Sequence, residues 1–327
     1  MEKEPLVSIV TPFYNTAEYL AECIESVLAQ TYQNWEYLLV NNCSTDGSWE
    51  IAQSYAARDP RIRLISNTTF LNQVQNYNQA LRQIAPESLY CKVVQADDWI
   101  FPECVSHLAA LAEANPRVGI VSSYSLSGIR VINKGLPYTI QTLSGKELCR
   151  RHFLAPMFVF GSPSSVLFRS EIVRQRDPFY RDGSTNEDTE ACYEILQDWD
   201  FGFVHQILSY LRMDNLSISA VVREHGGTTL EHHIMLKRYG PLFLNREELA
   251  RCLNQARDIH YRYLALTLFR RQHKAIWEYH QKGLRSIGID LKIKDILFPY
   301  LLQVLLDILL NPKNAVERFL ASRKRQV

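Results

Sequence analysis

The sequence predicts an α/β fold in which helices cover both faces of a mostly parallel sheet, followed by a helical C-terminal extension. Short apolar runs alternate with segments of helical periodicity through about residue 123, and this alternation is typical of βαβ units and a parallel sheet. The pattern loosens over residues 124–225 and becomes helical after about residue 228. We therefore expect one large domain over residues 1–225 and a helical appendage over residues 226–327.

The first part of the chain supplies five strands and four helices in alternation. Each expected strand is an apolar run, whereas each expected helix carries apolar side chains three and four positions apart. The predicted strands are residues 6–10, 37–40, 61–66, 90–95 and 118–123, and the predicted helices are residues 17–30, 46–57, 72–84 and 102–114.

The second part of the chain is less regular. A strand is expected at residues 166–168, short helices at residues 171–176 and 187–197, and a partly extended segment at residues 201–211. Residues 232–238, 247–269 and 272–282 have the periodicity of helices.

Composition excludes several classes of protein. Hydrophobic residues make up 46% of the chain, and the net charge is +1 from 36 basic and 35 acidic residues; we therefore expect no nucleic-acid partner. The seven cysteines are scattered without a CxxC pair, which favours a reducing cytoplasm. The N-terminus lacks a signal-peptide core, and no run reaches the roughly 18 apolar residues of a membrane span. The GxGxxG, P-loop and GxSxG motifs are also missing from the sequence.

Two adjacent carboxylates, Asp97 and Asp98, follow the apolar run at residues 90–94. Ligands of open α/β sheets bind at the carboxyl ends of strands, and paired carboxylates there favour Mg²⁺ or Mn²⁺ that also contacts phosphate oxygens. The alternative is a solvated turn in which one aspartate caps the helix that Pro102 opens.

Four motifs together resemble family 2 glycosyltransferases, which have the GT-A fold. Residues 7–15 read VSIVTPFYN and residues 40–48 read VNNCSTDGS; Asp97-Asp98 resembles the DxD-type metal motif, and residues 186–188 read NED at the start of a helix. They occur in the order of that family, and the resemblance covers about residues 5–225. It implies a nucleotide-sugar half over about residues 1–123 and an acceptor half over about residues 124–225.

The resemblance assigns roles to individual side chains. Residues implied at the donor nucleotide are Thr11, Pro12, Tyr14, Asn15, Asn42, Asp46, Asn78 and Asp97, with Tyr14 able to stack on the base. Asp98 is implied as a direct cation ligand and Asp188 as the catalytic base, with Glu187 second. Ordinary structure competes with several of these roles: a strand-to-helix turn at residues 12–14, a helix cap at Asp46, surface polarity at Asn78, and favourable helix-dipole charge at Glu187 and Asp188.

The sequence departs from the family at two places. Asn41 and Asn42 stand where the family has aspartates, the second of which accepts a hydrogen bond from the uracil ring. An asparagine can still accept that bond but also donates, so a base other than uracil becomes more credible. Arg212-Met213-Asp214 stands where the family often has Arg-x-His. Asp214 is either a third cation ligand or a loop residue, and His225 is either its substitute or a surface histidine.

The motifs imply an inverting glycosyltransferase that uses Mg²⁺ or Mn²⁺ and moves a sugar from a nucleotide-sugar to an acceptor hydroxyl. Residues 161–165 are expected to shape the acceptor pocket. We expect the acceptor to be a sugar or lipid-linked sugar of cell-surface polysaccharide or glycolipid synthesis. The competing interpretation is a degenerate glycosyltransferase-like binding or scaffold protein. A nucleotidyltransferase would need a Gly/Arg/Lys-rich signature after the first strand, and residues 11–15 supply none.

The apolar segment at residues 296–310 is too short to span a membrane. Gln303 and Asp307 share one helical face, and the basic residues that follow the segment include Arg318, Arg323, Lys324 and Arg325. An apolar helix with a basic tail is typical of peripheral contact with anionic lipid, here through residues 296–327 at the inner face of a membrane. Packing on its own domain or in a homodimer is the alternative.

Overall fold

A computed structural model describes residues 4–155, 157–183, 186–212, 226–267, 273–292, 300 and 302–310. The chain divides into two compact units, residues 1–215 and 216–327, while the predicted domain boundary at residue 225 stays a prediction. All seven cysteines are free thiols. Over the described ranges, no helix combines the length and apolarity needed to cross a membrane.

The first unit is built on one mixed sheet, to which the described residues contribute ten strands. The strands are β1 (Val7–Phe13), β2 (Trp35–Asn41), β3 (Ile62–Ser66), β4 (Tyr90–Val93), β5 (Trp99–Ile100), β6 (Val118–Ser127), β7 (Arg130–Ile132), β8 (Thr142–Ser144), β9 (Leu167–Arg169) and β10 (Asp200–Leu211). The order across the sheet is β3-β2-β1-β4-β9-β6-β10-β5, with β7 on β6 and β8 on β10.

Parallel pairing dominates the half of the sheet built from the first strands. β1 pairs in parallel with β2 and β4, and β2 pairs in parallel with β3. β9 runs antiparallel between β4 and β6 and joins this half to the parallel β6–β10 pair. The α/β fold class with a mostly parallel sheet is confirmed, and the carboxyl ends of β1, β2 and β4 lie along one edge.

Helices of the first unit follow the expected alternation. They are α1 (Leu20–Leu28), α2 (Ser48–Ala56), α3 (Gln73–Leu81), α4 (Cys104–Ala114), α5 (Gly145–Leu154), α6 (Ser170–Gln175) and α7 (Glu187–Ile195), and a 3₁₀ turn spans Pro163–Ser165. On α1 the buried residues are Leu20, Cys23, Ile24 and Val27, which is the stripe that a helix packed on a sheet requires.

Several boundaries differ from the sequence prediction, among them those of α2, α4 and β6. α2 begins at Ser48, and its cap position is Gly47, whose φ of 91° only glycine adopts readily. Asp46 precedes the cap position, but its Oδ1 accepts the Ser48 N–H at 3.1 Å. α4 begins at Cys104, not at Pro102, and β6 continues to Ser127 because β7 pairs with its extension.

The second unit consists of helices in its described residues. They are α8 (Gly227–Phe243), α9 (Arg246–Thr267), α10 (His273–Arg285) and α11 (Leu302–Leu310). A small apolar core forms around Leu230, Leu264 and Leu284, with Leu291 buried in it. On α11 the described side chains, Leu302, Leu305, Leu306, Leu309 and Leu310, are all exposed.

Candidate active site at the carboxyl edge of the sheet

Asp97 and Asp98 lie in the turn that follows β4. Asp98 is only 5% exposed, whereas Asp97 is half-buried. Oδ2 of Asp98 accepts a hydrogen bond from Ser164 Oγ at 2.6 Å, and its Oδ1 accepts one from the Arg212 backbone N–H at 3.0 Å. A loop from the middle of the chain and the end of β10 therefore meet at this carboxylate.

The electrostatics at Asp98 suit a cation. Burial and the adjacent charge of Asp97 raise the pKa of Asp98 to about 7, against the lowering effect of the Ser164 and Arg212 hydrogen bonds. A divalent cation would relieve the repulsion between the two carboxylates, and hard oxygen donors are what Mg²⁺ and Mn²⁺ prefer. The described residues contain no cluster of three or more acidic, histidine or cysteine ligands, but such a cation also takes phosphate oxygens. Asp97 and Asp98 fit a cation shared with a diphosphate.

Arg212 opens the run that stands at the family's Arg-x-His, but the sequence prediction gave it no role of its own. Its Nε donates to the Asp97 carbonyl at 3.1 Å, and its guanidinium pairs with Glu22 and lies 4.6 Å from the centre of the Tyr19 ring. The signal in the sequence is positional, because a basic residue directly follows the last long strand of the sheet. Asp214 and His225 lie outside the described residues.

A buried lysine holds the turn that carries Ser164. The Ser164 hydroxyl also accepts the Gln95 N–H at 3.0 Å. Lys92 is fully buried in β4, and its ammonium donates to the Ser164 carbonyl at 2.8 Å and to the Val166 carbonyl at 3.4 Å. Burial lowers the pKa of Lys92. Lys92 thus positions the 3₁₀ turn, and through it the hydroxyl that contacts Asp98, a role with no recognisable pattern in the sequence.

Hydrogen bonds join the loop after β1 to the loop after β2. Oδ1 of Asn15 accepts the Thr45 N–H at 2.8 Å, with Asn15 at a φ of 49°. The Asp46 carboxylate accepts the Ala17 N–H at 2.9 Å and the Ser48 hydroxyl at 2.6 Å. Burial opposes ionisation of Asp46, but these hydrogen bonds outweigh it and lower its pKa. Asn15 and Asp46 therefore fix the shape of the edge at which Tyr14 is exposed.

Other predicted donor-site residues are buried. The Thr11 hydroxyl donates to the Val94 carbonyl at 2.8 Å and lies 2.9 Å from the Tyr37 hydroxyl, and Pro12 is buried beside it in β1. A contact of the Thr11 and Pro12 side chains with the nucleotide stays a prediction.

Two asparagines bind main chain instead of facing solvent. Asn78 both donates to the carbonyl and accepts from the N–H of Tyr180, each at 2.8 Å. Surface polarity therefore does not explain Asn78, because its side chain is buried. Asn42 makes the same two-way contact with Leu71, donating at 2.8 Å and accepting at 3.0 Å. Their contacts with the donor stay predictions.

The acidic residues of both motifs influence the pKa values of two buried tyrosines, Tyr77 and Tyr180. Glu187 and Asp188 occupy the first turn of α7. Burial, then the charges of the Asp97–Asp98 pair and of Glu187, raise the pKa of Tyr77. Burial and the charge of Asp188 likewise raise the pKa of Tyr180, whose ring centre lies 6.1 Å from that of Tyr77. The two acidic motifs thus act on a single tyrosine pair, although 88 residues separate Asp98 from Glu187 along the chain.

The protein is an α/β protein with a carboxylate pair, Asp97 and Asp98, after β4 at the carboxyl edge of its parallel strands. The family model of glycosyl transferase family 2 matches residues 8–176. The chain belongs to this family.

Known proteins are similar to this chain over part of its length. Glycosyltransferase GlyG of Streptococcus pneumoniae is 33% identical over 52% of this chain and 57% of its own length. TuaG of Bacillus subtilis, whose name assigns it to teichuronic acid biosynthesis as a glycosyltransferase, is 35% identical over 29% of this chain and 37% of its own length. The chain therefore spans less than two thirds of either relative.

A solved structure shows the same fold. Staphylococcus aureus TarS, residues 1–349, in complex with UDP-GlcNAc has a TM-score of 0.62 at 15% identity, covering 86% of this chain and 81% of the TarS chain. At that level of identity the likeness concerns the fold alone, and it agrees with the predicted GT-A architecture.

Proposed function

We propose that the protein is an inverting glycosyltransferase that moves a sugar from a nucleotide-diphosphate sugar to an acceptor hydroxyl. The observation that carries this proposal is the buried Asp98 carboxylate beside Asp97 in the turn after β4, which accepts hydrogen bonds from Ser164 Oγ and the Arg212 N–H. Family membership and the UDP-GlcNAc complex of TarS support a nucleotide-sugar donor.

The side chains divide the reaction between them. Asp98, with Asp97, would hold Mg²⁺ or Mn²⁺, which neutralises the charge that develops on the departing diphosphate. Asp188 takes the proton of the acceptor hydroxyl, with Glu187 as the second candidate. A single displacement by the acceptor at the anomeric carbon inverts its configuration. Lys92 and Ser164 hold Asp98 in place throughout.

The acceptor we propose is a sugar or lipid-linked sugar of cell-surface polysaccharide or glycolipid synthesis. The assignment of TuaG to teichuronic acid biosynthesis supports this class. A peripheral contact with the inner face of the membrane would bring the enzyme to such an acceptor. The exposed leucines of α11 and the basic residues that follow it in the sequence support that contact.

The test measures donor cleavage by the full chain. The protein is incubated with UDP-, GDP- and dTDP-sugars and Mn²⁺, without acceptor, and release of nucleoside diphosphate is followed. We expect slow hydrolysis of one donor class, lost on EDTA treatment and in Asp98→Asn. If no donor is cleaved while a nucleotide-sugar still binds, the protein is a degenerate glycosyltransferase that acts as a binding protein. If no donor binds at all, the proposal is refuted.

A further inference from the structure

A cluster of buried amides lies beneath the loop that connects β3 to α3. Asn42, which directly follows β2, is 2% exposed. Its Oδ1 accepts two hydrogen bonds, from the Leu71 N–H at 3.0 Å and from Asn67 Nδ2 at 3.1 Å, and its Nδ2 donates to the Leu71 carbonyl at 2.8 Å. An amide oxygen has two lone pairs, so the acceptor capacity of Asn42 is filled inside the protein.

The same loop is held at both of its ends. Asn67 Nδ2 also donates to Asn76 Oδ1 at 2.8 Å, and the Asn67 N–H donates to the Asn41 carbonyl at 2.9 Å. Asn72 begins α3 with a capping box that includes Gln75. Residues 67–72 are therefore fixed by hydrogen bonds to β2 and to α3.

This fixed loop presents an aromatic ring to solvent. Phe70 is 60% exposed, and its ring centre lies 4.8 Å from that of Tyr14, which is 45% exposed, at an interplanar angle of 64°. The two rings form an open corner at the carboxyl edge of β1 and β2. Exposed apolar surface that is held rigidly is typical of a ligand site, and planar aromatic ligands stack against such rings.

We propose that Phe70, together with Tyr14, contacts the nucleobase of the donor, and that Asn42 is a positioning residue that sets Phe70 through Leu71 without reading the base. This inference rests on the proposed function, because it names the surface on which the donor's base lies. Stacking accepts any base, since every base has a π-face. We therefore expect residue 42 to contribute little to the choice among donor bases. Substitution of Asn42 by aspartate should give no specific preference for uridine.

The role of the amide follows from its two-way contact with Leu71. An aspartate at position 42 accepts the Leu71 N–H but has no hydrogen to give to the Leu71 carbonyl. That carbonyl and the carboxylate then face each other as two acceptors, which displaces the loop that carries Phe70. The expected consequence is weaker binding of every nucleotide.

The experiment measures dissociation constants of UDP, GDP and inorganic pyrophosphate for the full chain with Mn²⁺ by titration calorimetry. Phe70→Ala is expected to weaken both nucleotides by about tenfold and to leave pyrophosphate binding unchanged, whereas Phe70→Tyr retains wild-type affinity. Tyr138→Ala, which removes a ring that is 79% exposed in the segment before β8, is the matched control and should change nothing. Asn42→Asp should weaken UDP and GDP by similar factors while pyrophosphate still binds.

Three results would overturn the inference. If Phe70→Ala binds UDP and GDP with wild-type affinity, Phe70 does not contact the base. If Phe70→Ala loses affinity for pyrophosphate as much as for the nucleotides, the substitution acts by disturbing the structure. If Asn42→Asp increases the affinity for UDP but not for GDP, residue 42 contacts the base directly. A wild-type chain that binds pyrophosphate but none of UDP, GDP and dTDP overturns both this inference and the proposed function. Nucleotide binding that does not depend on Phe70 overturns the inference alone.

Discussion

Acid should destabilise the helical unit through three buried histidines. His233, His260 and His280 lie one on each of α8, α9 and α10. Nδ1 of His233 lies 3.2 Å from Nδ1 of His260, and Nε2 of His260 lies 2.7 Å from Nδ1 of His280. Neutral imidazoles satisfy this chain by donating at one nitrogen and accepting at the other, whereas a charged ring within it loses solvation and is repelled by its neighbours once they are also charged.

The shifts in pKa give the size and sign of the effect. Burial and the neighbouring His280 and His233 lower the pKa of His260 to about 3. Burial, with the positive charges of His232, Lys237 and Arg257, lowers the pKa of His233 to about 4.

Because both folded values lie below the unfolded value near 6.5, the stabilisation is complete above pH 6.5 and is lost as the pH falls toward 4. Between pH 7 and pH 5, each of these two histidines costs about 2 kcal/mol of unfolding free energy.

Hydrogen exchange of the full chain provides the assay, because it reports on each unit separately. With intrinsic exchange rates corrected for pH, peptides from α8, α9 and α10 should lose protection between pH 7 and pH 5, while peptides from β1, β2 and β4 keep theirs. His260→Gln should flatten this pH dependence, and His107→Gln on α4 is the control. Equal protection of the helical peptides at pH 7 and pH 5, or an undiminished slope in His260→Gln, would refute the reasoning.

Three further predictions concern the proposed activity. Asp98→Asn should reduce transfer by about a hundredfold or more at an unchanged melting temperature, because an amide can still bond both partners of this carboxylate; wild-type turnover with Mn²⁺ would show that Asp98 does not hold the cation. Asp188→Asn should remove transfer but keep donor affinity, since its oxygen still accepts the Thr189 N–H, 2.6 Å away in the wild type; a parallel loss of affinity would place Asp188 in the nucleotide site. Removing the chain after Tyr300, which preserves the buried Leu291, should weaken sedimentation with anionic liposomes at low salt. If the full chain does not bind liposomes and the shortened chain aggregates, the removed helix packs on protein instead.

The sequence predicts the long helices and the first strands because burial leaves a pattern in the chain. Every residue of β1 is buried, and its mostly apolar sequence reflects this. The short strands β5, β7 and β8 escape prediction, since two or three residues carry no period and pair only because β6 and β10 already lie beside them. α5 was also missed, although Ser144 accepts the Glu147 N–H at its start in the Ser-x-x-Glu spacing that is a helix signal.

The sequence predicts only part of the candidate site. The Asp97–Asp98 pair is recognisable because two costly groups are adjacent in the chain. Ser164 and Arg212, in contrast, reach Asp98 across 66 and 114 residues. The sequence marks Arg212 by its position after the last long strand and Ser164 by the loop expected at the acceptor pocket, but neither signal indicates a contact with Asp98. Their role depends on β9 and β10 being placed around β4, which follows from the packing of the whole sheet.

Polar side chains at the carboxyl edge of the sheet chiefly position loops. An exchange of asparagine for aspartate there is therefore expected to disturb the loops, although the two side chains have the same shape. Asn42 binds both main-chain groups of Leu71, Asn78 binds both of Tyr180, and Asp46 accepts the N–H of Ala17. An asparagine that must donate and accept at one residue is not replaceable by aspartate, because a carboxylate cannot donate. The family resemblance alone suggests that Asn42 binds the base less strongly than an aspartate would. Its hydrogen bonds to Leu71 explain instead why this position carries an asparagine. Recognition at this edge then falls to groups that the loops leave exposed, of which the rings of Tyr14 and Phe70 are the clearest.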